Sequence, residues 1–478
     1  MKAFLNKVFK IDAMGTTIRT EFVAGLTTFL TMAYIIALNP NILTGWQTGS
    51  ALWNGVFLAT CLASALGMFV CAFWANKPFG MAPGMGLNSF LAIVVAHIVT
   101  ITGVDYTQGY QAAMCIVLIE GIVFLVVSLF DKQHKIIKAI PKAVRLGIAP
   151  AIGLMLMNIG FGSNVGVYDS EGNAWYVMRD FFGSLTAAHA KESMGTAWGP
   201  MVLTTITILV GVIIIASLAH FKVKGAVLLG MIGASVVYWI GESAFFGINP
   251  FASLANANWL PPFKDMAATT LFKFDFATLF SIGLTSVLML VFTFCFIDYA
   301  DSVGTMIGTA TKANLVDEEG VMPQMREALA SDAIATIAGA ATGTSTVTTF
   351  IESASGIEAG GRTGLSAIFT GLMFLACIFI APIAALVPAA ATSAALIYVG
   401  VLMLAELRHL DWSDISHSVP VTFMLLAMPI SSSIGHGIGI ALLSYSFIKI
   451  CTGRAKEVSA LTYVLSFLFL LKFFLPIG

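Results

Sequence analysis

Charged residues are scarce in this chain. Only 10% of its 478 residues are Asp, Glu, Lys or Arg, and 58% are hydrophobic, whereas soluble domains average about 25% charged residues. The mean hydropathy is +0.91. So little charge excludes an ordinary soluble domain and predicts a membrane protein that crosses the bilayer several times.

The chain also lacks the patterns of an enzyme, a metal protein or a nucleic-acid-binding protein. Its net charge is -1 and its seven histidines are scattered along the sequence. The cysteines lie in or beside apolar segments without metal-type spacing: Cys61, Cys71, Cys115, Cys295, Cys377 and Cys451. We find no nucleophile–base pair and no phosphate-binding loop. We therefore expect no catalytic activity, cofactor, metal or nucleic-acid partner.

Long apolar runs dominate what is present. A span needs about 20 apolar residues. The candidate spans are 22–39, 54–75, 85–100, 110–130, 143–162, 199–219, 224–242, 277–297, 327–342, 350–360, 364–386, 390–405, 418–433 and 436–452. A further stretch, 459–475, is either a fifteenth span or an interfacial helix. The sequence therefore predicts an all-α polytopic protein with about fourteen transmembrane segments.

The distribution of Lys and Arg tests this count. With the N-terminus in the cytoplasm, 19 basic residues fall on the inside and 4 on the outside. Cytoplasmic loops carry an excess of Lys and Arg in membrane proteins. One span too many or too few in the middle would destroy the bias. We therefore predict a cytoplasmic N-terminus and an even number of spans before Arg454.

Fourteen spans divide into two halves of seven with opposite orientation. A weak internal echo supports this division, because Pro141 and Gly153 have the same spacing as Pro388 and Gly400. The third segment of each half is short and follows helix-breaking residues. Interrupted segments at corresponding positions of inverted repeats indicate the binding site of a transporter.

The two interrupted segments differ in what breaks them. The segment at 85–100 follows Pro and Gly residues at 78–84, whereas 350–360 follows a Thr-rich run at 342–349 that favours an extended strand. Asn88 lies in the first segment, where its amide offers donors and an acceptor to a heteroaromatic ring, or caps the helix. Phe350, in the second, stacks on a flat ligand or packs in the protein.

Five acidic residues fall inside apolar segments, where charge is costly unless it faces a cavity or a partner. Asp298 and Asp301 are three residues apart, so they share a helix face, at the predicted end of the eighth span. Glu352 opens the short helix of the tenth segment, as a ligand acceptor or as a helix cap. Glu120 and Asp332 fit helix–helix hydrogen bonds better, although Glu120 also suits a proton path.

Taken together, these motifs resemble the adenine/guanine/hypoxanthine permease family, the AzgA-like branch of the nucleobase transporters. The resemblance covers nearly the whole chain. It is carried by Ala82-Pro83-Gly84-Met85-Gly86-Leu87-Asn88, by Asp298-x-x-Asp301-Ser-x-Gly-Thr with Lys312-Ala313-Asn314-Leu315, and by Ile351-Glu352-Ser353-Ala354-Ser355-Gly356 leading to Gly360-Gly361-Arg362-Thr363-Gly364.

This resemblance implies a uracil-permease-like fold of seven plus seven inverted segments, with short β-strands breaking spans 3 and 10. A core domain, 14–140 and 276–387, would hold the ligand. A gate domain, 141–275 and 388–453, would rock against the core and form a homodimer. An apolar tail at 454–478 fits this plan least well.

The resemblance further implies proton-coupled purine uptake across the cell membrane. Ligand-binding residues map onto Asn88, Asp301 and Glu352. Gly86, Phe350 and Ser353 complete the candidate substrate-binding set. Asp301 is the expected proton-coupling acid, and Asp298, Glu352 and Glu120 are further candidates.

Two other functions remain open at this stage. An anion transporter of the same fold would hold its substrate with positive charge, but the expected pocket carries acids. A nucleobase sensor would bind purine without moving it. The sequence leaves the preferred purine, the coupling ion and its stoichiometry undetermined.

Overall fold

A computed structural model describes residues 2–130, 141–162, 198–312, 322–431 and 434–474. Ala313-Asn314-Leu315 of the second family motif lies outside these ranges.

Helices make up nearly all of the described structure. The α-helices are α1 (Lys2–Phe9), α2 (Ile18–Met32), α3 (Ile35–Leu43), α4 (Ala51–Trp74), α5 (Met85–Thr102), α6 (Tyr106–Phe130), α7 (Lys142–Phe161), α8 (Trp198–His220), α9 (Ala226–Phe246), α10 (Phe263–Thr269), α11 (Phe276–Ser281), α12 (Leu284–Lys312), α13 (Met325–Thr342), α14 (Ser353–Glu358), α15 (Gly364–Ala376), α16 (Ala381–Ala384), α17 (Ala389–Met403), α18 (Ile415–Ser431), α19 (Ile434–Cys451) and α20 (Ala460–Phe474). Short 3₁₀ helices occur at Ala252–Asn256, Cys377–Phe379, Leu404–His409 and Ala455–Glu457.

Ten of the helical segments in the described ranges are long and apolar enough to cross a membrane, counting α2 and α3 as one. Many large apolar side chains on their outer faces are exposed. In water such a surface would be unfavourable, whereas lipid tails satisfy it. The protein is therefore a multi-pass membrane protein, as the composition predicted.

Two short strands interrupt the helices where the sequence predicted breaks. Strand β1 (Met81–Pro83) precedes α5, and β2 (Val347–Thr349) precedes α14. They form an antiparallel two-stranded sheet in which Met81 is opposite Thr349. Both strands are buried, and pairing satisfies backbone groups that the bilayer interior would leave without partners.

The helices pack as two groups. One group surrounds the strands and contains α2–α6 and α12–α15. The other contains α7–α9 and α17–α19, with α20 packed on α19. The short helix α10 lies against α4 in the first group. The two groups touch chiefly where α5 meets α7, α2 meets α9 and α3 meets α17.

The predicted end of the eighth span at residue 297 is wrong. Helix α12 continues to Lys312, so Asp298 and Asp301 lie within the helix and not at its end. The predicted span ended before Asp298 because a charged residue usually marks the point where a helix leaves the membrane. Here Asp298 and Ser302 are fully buried in protein, so the polar stretch continues the helix without facing lipid.

The first span also differs from its prediction. Its range of 22–39 becomes 18–43, and the helix is interrupted at Ala33 and Tyr34 between α2 and α3. Apolar periodicity gives no sign of this interruption, because both residues are apolar or aromatic and are buried. The break places the Tyr34 side chain toward the strand pair.

Candidate functional site

The candidate site is built around the strand pair, where α5 and α14 begin. Hydrogen bonds extend the pairing on both sides: the Gly84 amide donates to the Thr346 carbonyl at 3.0 Å, and the Phe350 amide donates to the Gly80 carbonyl at 2.9 Å. Gly84 lies against Thr348, since a β-carbon there would meet the threonine hydroxyl at 3.0 Å. The two interrupted segments thus form one unit.

Glu352 and Asp301 are the acids of this region that remain partly exposed. Glu352 precedes α14, but its side chain makes no capping hydrogen bond. Its Oε1 instead accepts a hydrogen bond of 2.9 Å from the Tyr34 hydroxyl. The carboxyl groups of Glu352 and Asp301 are close enough to interact electrostatically. These two residues therefore present acceptor oxygens at the strand pair.

Asp332 is fully buried and joins three elements. Its carboxylate accepts a short hydrogen bond from Ser302 on α12 and one of 3.1 Å from Thr349 on β2. This is the helix–helix bonding that the sequence favoured for Asp332.

Glu120 and Asp298 are also fully buried. Thr346 donates a hydrogen bond of 2.8 Å to Glu120 Oε1, and Glu120 and Asp298 interact electrostatically. Both are less exposed than Asp301 and Glu352, and Asp298 also interacts electrostatically with Asp301.

Asn88 lies at the centre of a buried amide network. Its Nδ2 donates to Asn39 Oδ1 at 2.7 Å and to the Pro83 carbonyl at 3.3 Å. Its Oδ1 accepts a short hydrogen bond from Ser345. Both amide donors are thus engaged, and the side chain is fully buried. In this arrangement Asn88 fixes the loop before α5 against the Thr-rich run.

The remaining predicted site residues also make protein contacts. Ser353 accepts from the Gly80 amide at 2.9 Å and donates to the Phe350 carbonyl at 2.6 Å. Phe350 itself is 6% exposed. Gly86 faces Ile152 of α7, whose Cγ2 would lie 2.8 Å from an added β-carbon. Gly86 therefore marks a close contact between the two helix groups.

Sequence reasoning missed the polar partners of these residues. Tyr34, Asn39, Ser345 and Thr346 each hydrogen-bond a predicted site residue. A Tyr or Asn within an apolar first span was the available signal for Tyr34 and Asn39. Ser345 and Thr346 lie in the Thr-rich run, which the sequence analysis interpreted only as a strand.

The chemistry of the site is that of an acceptor surface. The residues that form it are acids, amides, hydroxyls and close-packed glycine backbone, without Lys or Arg. Within the described ranges, no group of three His, Cys, Asp or Glu residues is placed to hold a metal ion. Carboxylates accept hydrogen bonds from N–H groups and donate none when ionised. The arrangement therefore suits a small molecule rich in N–H donors.

Comparison with known proteins gives a family and close relatives. The family model Xan_ur_permease, described as a permease family, matches residues 19–443. Adenine permease AdeP of Escherichia coli strain K12 is 36% identical over 477 residues, which cover 98% of this chain and 96% of the relative. Guanine/hypoxanthine permease PbuO of Bacillus subtilis strain 168 is 34% identical, covering 98% of this chain and 100% of the relative.

Solved structures share the fold at much lower sequence identity. The transmembrane domain of the cyanobacterial bicarbonate transporter BicA superposes with a TM-score of 0.62 at 15% identity, covering 88% of this chain and 97% of that domain. The murine anion transporter Slc26a9 in its inward-facing state gives 0.62 at 9% identity, with coverage of 95% and 72%. These similarities establish the fold and carry no information on substrate.

Proposed function

Because the chain belongs to the Xan_ur_permease family of permeases, we propose that it is a proton-coupled importer of purine nucleobases. Adenine, guanine and hypoxanthine are the proposed substrates, as the names of the relatives AdeP and PbuO suggest. Purine bases carry ring and exocyclic N–H donors on a flat apolar ring. The proposed site offers matching acceptors.

One observation carries the proposal. Asp301 and Glu352 are partly exposed and interact electrostatically beside the strand pair, whereas Glu120, Asp298 and Asp332 are fully buried. Two reachable carboxyl groups can anchor two donor groups of one ligand. The same pair would be a poor site for an anion, because the charges repel.

We assign the roles as follows. Glu352 accepts ring or exocyclic N–H hydrogen bonds, and Asp301 is the second anchor and the proton-coupling acid. Phe350, Ser353 and Gly86 shape the cavity. Asn88 determines which purine fits by holding the loop before α5. Asp298 and Glu120 extend the proton route into the protein.

Proton and purine transport are coupled because the binding of one ligand, the proton, changes the affinity for the other, the purine. A proton on Asp301 removes one of two neighbouring negative charges, which changes the free energy of binding a purine beside Glu352. By reciprocity, bound purine changes the proton affinity by the same factor. An inward proton gradient can then drive purine uptake.

We propose that the two helix groups act as the moving parts, with fourteen segments arranged as seven plus seven. The core domain, 14–140 and 276–387, carries the strand pair and the acids. The gate domain, 141–275 and 388–453, supplies the facing wall and the dimer contact, and 454–478 forms a tail. The limited contact between the groups supports such a motion, since a small interface rearranges at low cost.

The proposed location is the cell membrane, with the N-terminus in the cytoplasm. The excess of Lys and Arg on the predicted inner side supports this orientation. Cysteine accessibility tests it: a membrane-impermeant thiol reagent added to intact cells should not label a cysteine introduced at Lys7, which precedes the first span. Labelling from outside would reverse the orientation.

Purine uptake tests the function. Cells without purine permeases of their own, expressing this protein, should take up radiolabelled adenine or hypoxanthine, with faster uptake at acidic external pH. Glu352→Gln should lower uptake about tenfold or more, because a carboxylate oxygen is replaced by a donor group that faces the N–H donors of the ligand. Asp301→Asn should also remove the dependence on external pH.

The matched control is Glu358→Gln, which makes the same chemical change on the exposed end of α14. It should leave uptake unchanged. Full, pH-driven uptake in both Glu352→Gln and Asp301→Asn would refute the proposed site. Bound purine without any counterflow in liposomes would indicate a sensor instead.

A further inference from the structure

The interruption of the first span places one tyrosine behind the proposed ligand carboxylate. Tyr34 lies between α2 and α3 and is 1% exposed, whereas Glu352 is only partly buried. The tyrosine is therefore on the protein side of the carboxyl group, and a ligand approaches from the other side.

The contact is a single, well-formed hydrogen bond. The Tyr34 hydroxyl donates to Glu352 Oε1 at 2.9 Å, which is within the normal range for an O–H···O bond. Among the described residues, no other side chain hydrogen-bonds Glu352. Tyr34 thus holds Oε1, and Oε2 accepts no side-chain hydrogen bond from the described residues.

Holding one oxygen has two physical effects. It fixes the rotation of the carboxylate, so the free oxygen points in a constant direction without an entropy cost at the moment of binding. It also stabilises the ionised form, because a donor hydrogen bond favours the charged state. Both effects favour a ligand that donates an N–H bond to Glu352.

We propose that Tyr34 is a positioning residue that orients and ionises Glu352 for the purine, without touching the purine itself. This inference rests on the proposed function. If Tyr34 acts through Glu352, removing the Tyr34 hydroxyl should weaken purine binding only in proteins that keep a carboxylate at position 352.

The test uses the full-length purified protein and direct binding of radiolabelled adenine or hypoxanthine. Tyr34→Phe keeps the ring and removes the hydroxyl. We expect its Kd to rise about tenfold, the usual worth of one hydrogen bond to a charged group. In uptake, KM should rise by a similar factor while the maximal rate per transporter stays within about twofold, because the hydrogen bond acts on ligand binding.

Tyr110→Phe is the matched control. Tyr110 is equally buried, and its hydroxyl donates to the Gly343 carbonyl at 3.0 Å, so the variant loses one comparable hydrogen bond without involving an acid. Its Kd should equal that of the wild type. A rise as large as that of Tyr34→Phe would show that any lost tyrosine hydroxyl disturbs the site, and would overturn the inference.

A second arm measures whether Tyr34 acts through Glu352. Glu352→Asp keeps a carboxylate on a shorter side chain, and Glu352→Gln removes the charge. Adding Tyr34→Phe to Glu352→Gln should change the residual Kd by less than about twofold, because coupled residues are not additive. If Tyr34→Phe raised the Kd tenfold both in the wild type and in Glu352→Gln, Tyr34 would act independently of Glu352.

The pH dependence of binding gives a further readout. Asp301 and Tyr34 are the titratable groups that interact with Glu352 among the described residues. Because the Tyr34 hydroxyl contacts the Glu352 carboxyl group directly, the acid limb of the binding profile should move in Tyr34→Phe. An unmoved acid limb with a wild-type Kd would refute the positioning role.

The outcomes separate this inference from the proposed function. Purine binding by the wild type and weaker binding by Glu352→Gln, together with an unchanged Kd in Tyr34→Phe, would overturn only the role of Tyr34. Failure of the wild type to bind any purine would overturn both.

Discussion

Gly153 and Gly400 lie in direct contact where α7 crosses α17. A β-carbon on Gly153 would meet the Gly400 carbonyl oxygen at 2.6 Å, and one on Gly400 would meet the Gly153 carbonyl oxygen at 2.5 Å. The contact is reciprocal, and the sequence placed these two glycines at matching positions of its internal echo. Small residues of this kind let membrane helices approach closely.

Substituting either glycine should destabilise the protein. Gly153→Ala and Gly400→Ala each push a methyl group into a backbone carbonyl, which cannot rotate away, so we expect a loss of about 1–3 kcal/mol. Thermal unfolding in detergent measures it. Gly308→Ala is the control, because a β-carbon there meets no atom within 4 Å. A melting temperature of Gly153→Ala equal to that of the control would contradict the prediction.

Changes in side-chain size where α5 contacts α7 should alter the rate of transport. Gly86→Ala places a β-carbon 2.8 Å from Ile152 Cγ2, so it should hinder movement between the two helix groups and lower the maximal uptake rate several-fold. Ile152→Ala removes that methyl group, and the double variant should recover most of the rate. The test compares the initial uptake rates of the wild type, both single variants and the double variant, each normalised to the amount of protein in the membrane. No recovery in the double variant would place the defect elsewhere.

Loss of the Asp332 carboxylate should cost stability more than affinity. Asp332→Ala leaves the buried Thr349 hydroxyl without its acceptor, at about 1–3 kcal/mol, and leaves Ser302 only its longer contact of 3.4 Å with Asp298 Oδ1. Thermal unfolding should show the loss. Ser331→Ala serves as the comparison, because Ser331 is buried but bonds only to the Glu327 carbonyl of its own helix. Equal effects of both substitutions would argue against the role of Asp332.

The turn before α20, Ala455–Glu457, should be held in place by a pH-dependent charge network. Glu457 pairs with Arg454 at 2.9 Å and with Lys449 at 2.7 Å, and Arg454 also pairs with Asp414 at 3.0 Å. Hydrogen bonds from Arg454 and Lys449 lower the pKa of Glu457 from 4.5 to about 2. Hydrogen bonds from the hydroxyl and the backbone amide of Ser416, followed by one from Arg454, lower the pKa of Asp414 below its ordinary range.

The sign of the pH effect follows from these shifts. A carboxyl group whose pKa is lower in the folded protein stabilises it fully above the unfolded pKa, and the stabilisation disappears as the pH falls through the folded pKa. We therefore expect Glu457→Gln to lower the melting temperature at neutral pH, to have a progressively smaller effect below pH 4.5, and to have none only below about pH 2. The effect should be small, since exposed pairs are weak. Glu406→Gln is the control, and an equal decrease in that variant would contradict the prediction.

Much of the fold could be predicted because it depends on local patterns. The apolar runs and the breakers around Pro83 and Thr348 are read directly from neighbouring residues, and both interruptions are confirmed. The family resemblance is confirmed by the family match and the relatives, and with it the prediction of a transporter rather than an enzyme.

The rest depends on contacts between residues distant in sequence. Tyr34 and Glu352 are 318 positions apart, and hydropathy cannot pair them. The continuation of α12 beyond Asp298 was missed for the same reason, because an acid ends a span only if no buried partner receives it. The roles of Asn88, Asp301 and Glu352 in binding stay predictions until ligand is measured.

The strand pair imposes an order on biogenesis. Strand β1 enters the bilayer early in synthesis, whereas β2, which supplies its hydrogen-bond partners, is made far later. Until then the backbone of Met81–Pro83 is either exposed to lipid at a cost of several kcal/mol per group or kept in a watery or protein-lined vestibule. The first half of the chain therefore depends on the insertion machinery until β2 has been synthesised. A chain truncated before Val347 should be degraded and should not accumulate as a stable half-transporter.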